Sequence, residues 1–189
     1  MIRITSGEFR GRMLRTPAQQ GTRPTQAMLR QALFNSLQVH VPGAKVLDLF
    51  AGSGALGFEA LSRGAEYVTF VEQAHAAVKC VQQNIDVLGV KDKTRLLAES
   101  IERALPALEA SGPFDVILAD PPYGLGWEQK LLEGWPWDKL LAEEGIFSIE
   151  WGTQKKGAVQ ALPDSFPFLV KIREKTYGES VLTTYQKKQ

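Results

Sequence analysis

Residues 45–57 read Lys45-Val46-Leu47-Asp48-Leu49-Phe50-Ala51-Gly52-Ser53-Gly54-Ala55-Leu56-Gly57. The apolar run over 45–50 predicts a short buried strand. Gly52, Gly54 and Gly57 follow it in G-x-G-x-x-G spacing, at a turn into a helix. Glycines in that order permit a tight turn, close approach of a ligand to the backbone, and close packing of helix on strand. The stretch therefore predicts an α/β fold whose first buried strand delivers the chain into a ligand-holding loop.

The pattern continues downstream as an alternation. Candidate strands lie at 66–71, 94–98, 114–119 and 145–150, and candidate helices at 55–63, 74–88, 100–109 and 128–143, the last interrupted near Pro136. Short apolar strands alternating with helices imply a parallel sheet covered on both faces. Two further apolar stretches, 166–173 and 180–186, have no helix between them and predict an antiparallel pair at one end of the sheet. Upstream, residues 2–5 and 12–15 predict a hairpin turning through Gly7 to Gly11. Thr25 is expected to cap a helix carrying Met28, Leu29, Ala32, Leu33, Ser36 and Leu37 at helical spacing, and Pro42-Gly43 closes that unit. The expected division is an Arg-rich extension over 1–43 and an α/β domain over 44–189.

Composition bounds the function. The chain has 189 residues, 44% hydrophobic and 23% charged, ordinary values for a globular domain. No apolar run approaches the length of a bilayer span, and Met1 to Thr5 carry no signal-like apolar region. The expectation is a cytoplasmic monomer without a membrane partner. Cys80 is the single cysteine, so no internal disulfide and no metal site are expected. The net charge of +1 conceals opposed segments: +5 over residues 1–44, −8 over 45–151 and +4 over 152–189. The first segment contains Arg3, Arg10, Arg12, Arg15, Arg23 and Arg30 but no lysine. A guanidinium holds a phosphate through two hydrogen bonds, so these arginines are candidates for docking a nucleic-acid backbone.

The loop after the first strand suits more than one nucleotide. Glu72 lies 20 residues beyond Gly52, where an acid grips ribose hydroxyls, and that spacing also fits NAD. Asp48 points elsewhere, because a carboxylate at the mouth of the loop repels a pyrophosphate but suits an ammonium group. S-adenosylmethionine, with an adenosine, a sulfonium and an amino-acid tail, meets that requirement. On this reading Asp48, Phe50, Ala51, Gly52, Ser53, Gly54 and Gly57 surround the cofactor, Glu72 holds the ribose and Glu99 accepts from the adenine amine. A purely local role for Asp48, bonding loop amides, stays open.

The strand ending at Ala119 runs into Asp120-Pro121-Pro122-Tyr123. In an open parallel sheet ligands bind beyond the carboxyl ends of the strands, so this loop and the glycine loop face one crevice. Methylating an exocyclic base amine requires acceptors for the amine protons, so that the nitrogen lone pair leaves conjugation and points at the methyl carbon. Asp120 offers a carboxylate and Pro121 a carbonyl, while two prolines add no competing N–H and keep the loop stiff. Tyr123 is a stacking platform for the base, with Trp127 as a second candidate. Asp120, Pro121, Pro122 and Tyr123 are thus the catalytic candidates, with Asp120 also beside the cofactor. Cys80, His40 and His75 receive no catalytic role.

These segments together resemble the RsmD-type family, bacterial 16S rRNA guanine methyltransferases. The resemblance rests on Arg10-Gly11-Arg12 with Leu14, Arg23-Pro24-Thr25 with Arg30, Leu33-Phe34-Asn35, and Leu47 to Gly57. It continues through Glu59 to Ala65, Asn84, Asp120 to Tyr123, and Tyr177-Gly178, covering essentially the whole chain. It implies a Rossmann-like S-adenosylmethionine-dependent methyltransferase fold with a seven-stranded, mostly parallel sheet and an N-terminal hairpin and helix extension. It further implies methylation of a guanine 2-amino group in 16S rRNA of the small ribosomal subunit or its assembly intermediate. Ala27 stands where the family usually has an acidic or amide residue, and Gln31 where it usually has a glutamate. The alternatives are a DNA adenine or cytosine amino-methyltransferase, a non-catalytic RNA-binding assembly factor, and an NAD-dependent dehydrogenase.

Overall fold

The glycine loop opens at the carboxyl edge of a seven-stranded sheet. The computed structural model describes residues 1–18, 24–152 and 161–189. In chain order the elements are β1 (Ile2–Arg3), β2 (Met13–Leu14), α1 (Pro24–Ser36), β3 (Lys45–Leu49) and α2 (Ala55–Ser62). There follow β4 (Tyr67–Val71), α3 (His75–Leu88), β5 (Thr94–Leu97), α4 (Ile101–Ser111) and β6 (Phe114–Ala119). The chain ends in α5 (Trp127–Gly134), α6 (Trp137–Leu140), β7 (Leu141–Gly152), β8 (Leu169–Tyr177) and β9 (Ser180–Lys187).

The sheet order is β5-β4-β3-β6-β7-β9-β8. Strands β5, β4, β3, β6 and β7 run parallel, and β9 is antiparallel to both β7 and β8. The fold class and the terminal antiparallel pair therefore match the sequence pattern. From β3 the chain winds outward through β4 and β5, then returns to lay β6 on the other side of β3. That reversal leaves a crevice beyond the ends of β3 and β6, where open α/β sheets bind ligands.

Three expectations change in detail. Helix α1 starts at Pro24, so Thr25 lies within the helix rather than capping it; proline suits the first helical position because its missing N–H needs no partner there. The segment 128–143 divides into two short helices, and the chain from Leu141 is already strand. Pro136 cannot continue the helical hydrogen bonding, Trp137 is buried with its indole N–H donating to the Leu131 carbonyl at 2.9 Å, and Leu141 pairs with Phe114. The N-terminal strands are short, two residues each, but pair antiparallel as expected.

Two hydrophobic clusters cover the sheet's two faces. One contains Val46, Phe58, Val68, Phe70 and Val116 together with Ile4, Leu14, Leu33, Phe34 and Leu37. The N-terminal extension thus shares a core with the sheet. The other gathers Leu47, Leu49, Ile101, Leu108, Ile117, Trp137, Phe147 and Tyr185.

Polar side chains, Glu59 and Asn84 among them, tie the extension to the domain. Glu59 of α2 is fully buried: its Oε2 accepts the Thr5 N–H at 2.9 Å, and its Oε1 accepts the Thr5 hydroxyl at 2.6 Å and the Ser6 N–H at 3.1 Å. Arg63 donates Nε–H to the same carboxylate at 3.0 Å, so the buried charge is balanced. Asn84 of α3 is another tie, accepting the Arg15 N–H at 2.8 Å and donating to the Arg15 carbonyl at 3.0 Å.

Candidate active site

The glycine loop is shaped by close packing as much as by its turn. Gly54 has φ of 78°, which a side chain rarely adopts. A Cβ on Gly57 would sit 2.2 Å from the Phe70 ring, so only glycine lets α2 lie this close to β4. Phe50, the last residue before the loop, also has positive φ, 59°. A bulky residue held there costs about 1–3 kcal/mol, and here its ring packs edge-on against Trp127 with centroids 5.0 Å apart.

Two acids brace this loop. Asp48 is buried, and its Oδ2 accepts the Gly57 N–H at 2.9 Å, taking the place of a side-chain cap on the first turn of α2. It also lines the larger of two cavities, so the local role and the ligand-facing position coexist in one carboxylate. Burial pushes Asp48 up to about 7; the Glu72 charge adds to the rise and the Gly57 N–H opposes it. Glu72 accepts the Gly52 N–H at 2.7 Å through Oε2 and the Ala74 N–H at 2.7 Å through Oε1. Both oxygens are thereby aimed by backbone on either side of the crevice.

The two cavities meet at the ends of β3 and β6. The larger, about 570 Å³, is walled by the loop from Phe50 to Ser53, by Asp48, Asp120 and Tyr123, and by Ser148 and Glu150 of β7. The smaller, about 360 Å³, is walled by Glu72, Glu99, Glu102, Pro121, Pro122 and Trp127 among others. Gln26 of α1, Phe50, Gly52, Asp120 and Tyr123 line both. The glycine loop and the Asp120–Tyr123 loop therefore share one divided cleft. Trp127 lines the smaller cavity with Phe50, and Lys130 lies over its ring at 4.5 Å; it is absent from the walls of the larger one.

Asp120 remains exposed to the cleft. The packing that surrounds it, followed by the like charges of Glu150 and Asp48, holds its carboxyl above the usual range. Tyr123 is 52% exposed, and its hydroxyl donates to Glu150 Oε1 at 2.7 Å and lies 3.2 Å from Ser180 Oγ. Its ring covers Gly152, where a Cβ would approach ring carbons at 3.1 Å. Tyr123 is thus clamped between β7 and β9 with its phenol raised, chiefly by burial.

The candidate docking arginines separate into two groups. Arg3, Arg10, Arg12 and Arg15 are exposed, with Arg12 donating to the Val87 carbonyl at 3.0 Å. Arg30 differs from these: it is buried, donates to the Arg3 carbonyl at 2.9 Å, pairs with Glu59 at 3.5 Å and lines the larger cavity. A guanidinium committed to these partners braces the extension and does not lie on the exposed face. Arg23 lies outside the described residues. Ala27 and Gln31 are exposed on α1. Among the described residues no group of three or more His, Cys, Asp or Glu side chains is placed to hold a metal ion, and no helix is long and apolar enough to cross a membrane.

Sequence reasoning missed Gln26, Glu150, Ser148 and Ser180. None stands in a motif. An acid just after an apolar strand run, as in Ile149-Glu150, resembles the Asp and Glu ending the other parallel strands and was the one legible sign.

With this geometry in view, comparison with known proteins is direct. The family described as conserved hypothetical protein 95 matches residues 2–186. The chain belongs to that family. Ribosomal RNA small subunit methyltransferase D of Escherichia coli K12 is 34% identical over 190 residues, covering 98% of this chain and 90% of the relative. The solved structure of yhhF from Escherichia coli superposes with a TM-score of 0.80 at 34% identity, covering 99% of this chain and 98% of that one. A SAM-dependent methyltransferase from Agrobacterium tumefaciens shares the fold, with a TM-score of 0.56 at 20% identity over 89% of this chain and 64% of its own. Membership in the conserved hypothetical protein 95 family thus agrees with the RsmD-type resemblance, and the architecture is that of S-adenosylmethionine-dependent methyltransferases.

Proposed function

We propose that the protein is an S-adenosylmethionine-dependent methyltransferase that modifies the 2-amino group of a guanine in 16S rRNA of the small ribosomal subunit or its assembly intermediate. The observation that carries this reading is the shared cleft: Asp120 and Tyr123 border the same two cavities as Phe50 and Gly52 of the glycine loop. The family relationship and the name of the Escherichia coli relative support it.

The residues fit the cofactor. The smaller cavity is lined by Glu72, Glu99 and Glu102, with no lysine or arginine among its described walls. Such a chamber suits an adenosine and disfavours a pyrophosphate, which weighs against NAD. Glu72 would hold the ribose, Glu99 the adenine amine, and Asp48 would face the ammonium of the amino-acid tail. When bound, S-adenosylmethionine supplies an electrophilic methyl carbon. Its positive charge also favours ionised Asp48 and Asp120, which the free cleft holds above the usual carboxylate range.

Asp120 and the Pro121 carbonyl would then accept the two amine protons of the guanine and turn the nitrogen lone pair out of the ring. A methylated, positively charged amine is strongly acidic, so its proton leaves readily to Asp120 or to water. Tyr123 supplies the stacking face. The extension over 1–43, with exposed Arg3, Arg10, Arg12 and Arg15 and with Arg23, would dock phosphates beside the cleft.

The test is incubation with labelled S-adenosylmethionine and small subunits, or their assembly intermediates, from a strain lacking the modification. Nucleoside digestion is expected to place the label in 2-methylguanosine. Label confined to 6-methyladenine of DNA, or no label with cofactor still bound, overturns the proposal.

A further inference from the structure

Glu150 has no role in the chemistry described so far, yet it stands inside the larger cavity. It lies near the carboxyl end of β7, the strand beside β6. The parallel register pairs Ala119, the last residue of β6, with Ile149, and the residues that follow are Asp120 and Glu150. Two carboxylates are thereby set side by side where the target base must enter, and the Glu150 charge helps raise the Asp120 carboxyl. Like charges this close cost stability, and a fold that keeps them has a use for two acceptors.

The Glu150 side chain is also aimed. Tyr123 donates to Oε1 at 2.7 Å, and among the described residues no hydrogen bond engages Oε2. Ser180 approaches the same Tyr123 hydroxyl from β9. The carboxylate is fixed by one oxygen and leaves the other available beside Asp120.

Base chemistry says what fits a pair of adjacent acceptors. On guanine the 2-amine lies next to a ring N1–H, two donors in a row. On adenine the 6-amine lies next to an unprotonated N1, and on cytosine the 4-amine lies next to an unprotonated N3. A fixed carboxylate accepts the first and repels the other two. We infer that Glu150 is a specificity-determining residue, whose free carboxylate oxygen accepts the N1–H of the target guanine while Asp120 holds the neighbouring amine. This rests on the guanine reading above and deepens it.

The inference separates from mere support of Tyr123 through 2-aminopurine, which keeps the 2-amine but has an unprotonated N1. Small subunits are reconstituted from ligated 16S rRNA carrying guanine or 2-aminopurine at the target position. Wild type, Glu150→Gln and Tyr123→Phe are compared by kcat/KM on both, with cofactor affinity measured for each protein. Wild type is expected to favour guanine by about a hundredfold, in the range a single charged hydrogen bond supplies. Glu150→Gln, whose amide can accept from N1–H or donate to a bare N1, is expected to cut that ratio to about tenfold or less with cofactor affinity retained. Tyr123→Phe keeps the charge but loosens the aim of the carboxylate, so its ratio is expected to fall less than that of Glu150→Gln although its rate falls. An equal ratio in wild type and Glu150→Gln overturns the inference and leaves Glu150 as a support for Tyr123. Failure of the guanine reading itself shows differently: wild type then leaves guanine unmethylated in native particles, before any base is replaced.

Discussion

The side-chain amide of Asn84 donates to the backbone carbonyl of Ser53 at 3.0 Å. The same side chain holds both backbone groups of Arg15. One buried amide therefore links the glycine loop to the segment that carries the exposed arginines. Asn84→Ala leaves the Ser53 carbonyl and the Arg15 backbone without these partners, at a cost of about 2–3 kcal/mol. Thermal melting should show the loss, and cofactor affinity should fall with it because the loop is no longer held. A variant with unchanged melting and unchanged affinity removes Asn84 from this role.

Asp48 predicts a pH dependence with a definite sign. The folded chain holds its proton more tightly than the unfolded chain, since its carboxyl is raised from 3.8 to about 7. Its contribution to stability is complete below the ordinary value and is lost as pH rises through about 7. Ligand-free wild type should therefore lose melting temperature between pH 5 and pH 8 relative to Asp48→Asn, by roughly 5 °C for a chain of this size. S-adenosylmethionine affinity of the wild type should rise over the same interval, because a cation favours the ionised carboxylate. Parallel melting curves for the two proteins would contradict this assignment.

Asp120→Ala tests the amine-holding role. Turnover on small subunits should fall at least about a hundredfold, the usual weight of a group acting in the transition state. Cofactor affinity, measured by calorimetry, should change far less. Equal turnover removes Asp120 from the mechanism.

Neutralising Arg10 and Arg12 together, as Arg10→Gln and Arg12→Gln, addresses the docking face. RNA affinity should weaken, and the slope of its logarithm against the logarithm of salt should flatten by about one to two units. Cofactor affinity should stay the same, because neither side chain lines the cavities. Unchanged RNA affinity would return these arginines to ordinary surface.

Much of the frame was readable residue by residue. Gly52, Gly54 and Gly57 announce a strand, a turn and a closely packed helix because each imposes a local backbone or steric requirement. The alternation of short apolar runs with helices announces the parallel sheet for the same reason. The double proline after Asp120 likewise states its own stiffness. The burial of Arg30 was not legible, because an arginine reads alike whether it meets solvent or a buried Glu59, and only packing decides. The strand beginning at Leu141 was hidden because its pairing with Phe114 outweighs the helical pattern of the preceding residues.

The sequence by itself determined the class of fold and located the two loops proposed here to hold the cofactor and the amine, since all three follow from short contiguous motifs. Only the tertiary structure decided the walls of the cleft. Gln26 comes from α1 ahead of the sheet, Glu150 from β7 and Leu182 from β9, and none is near Asp120 in sequence. Sheet order, with β6 laid between β3 and β7, brings their side chains to one place. Strand order is set by how apolar faces bury against one another across the whole chain, a long-range balance that no local pattern records.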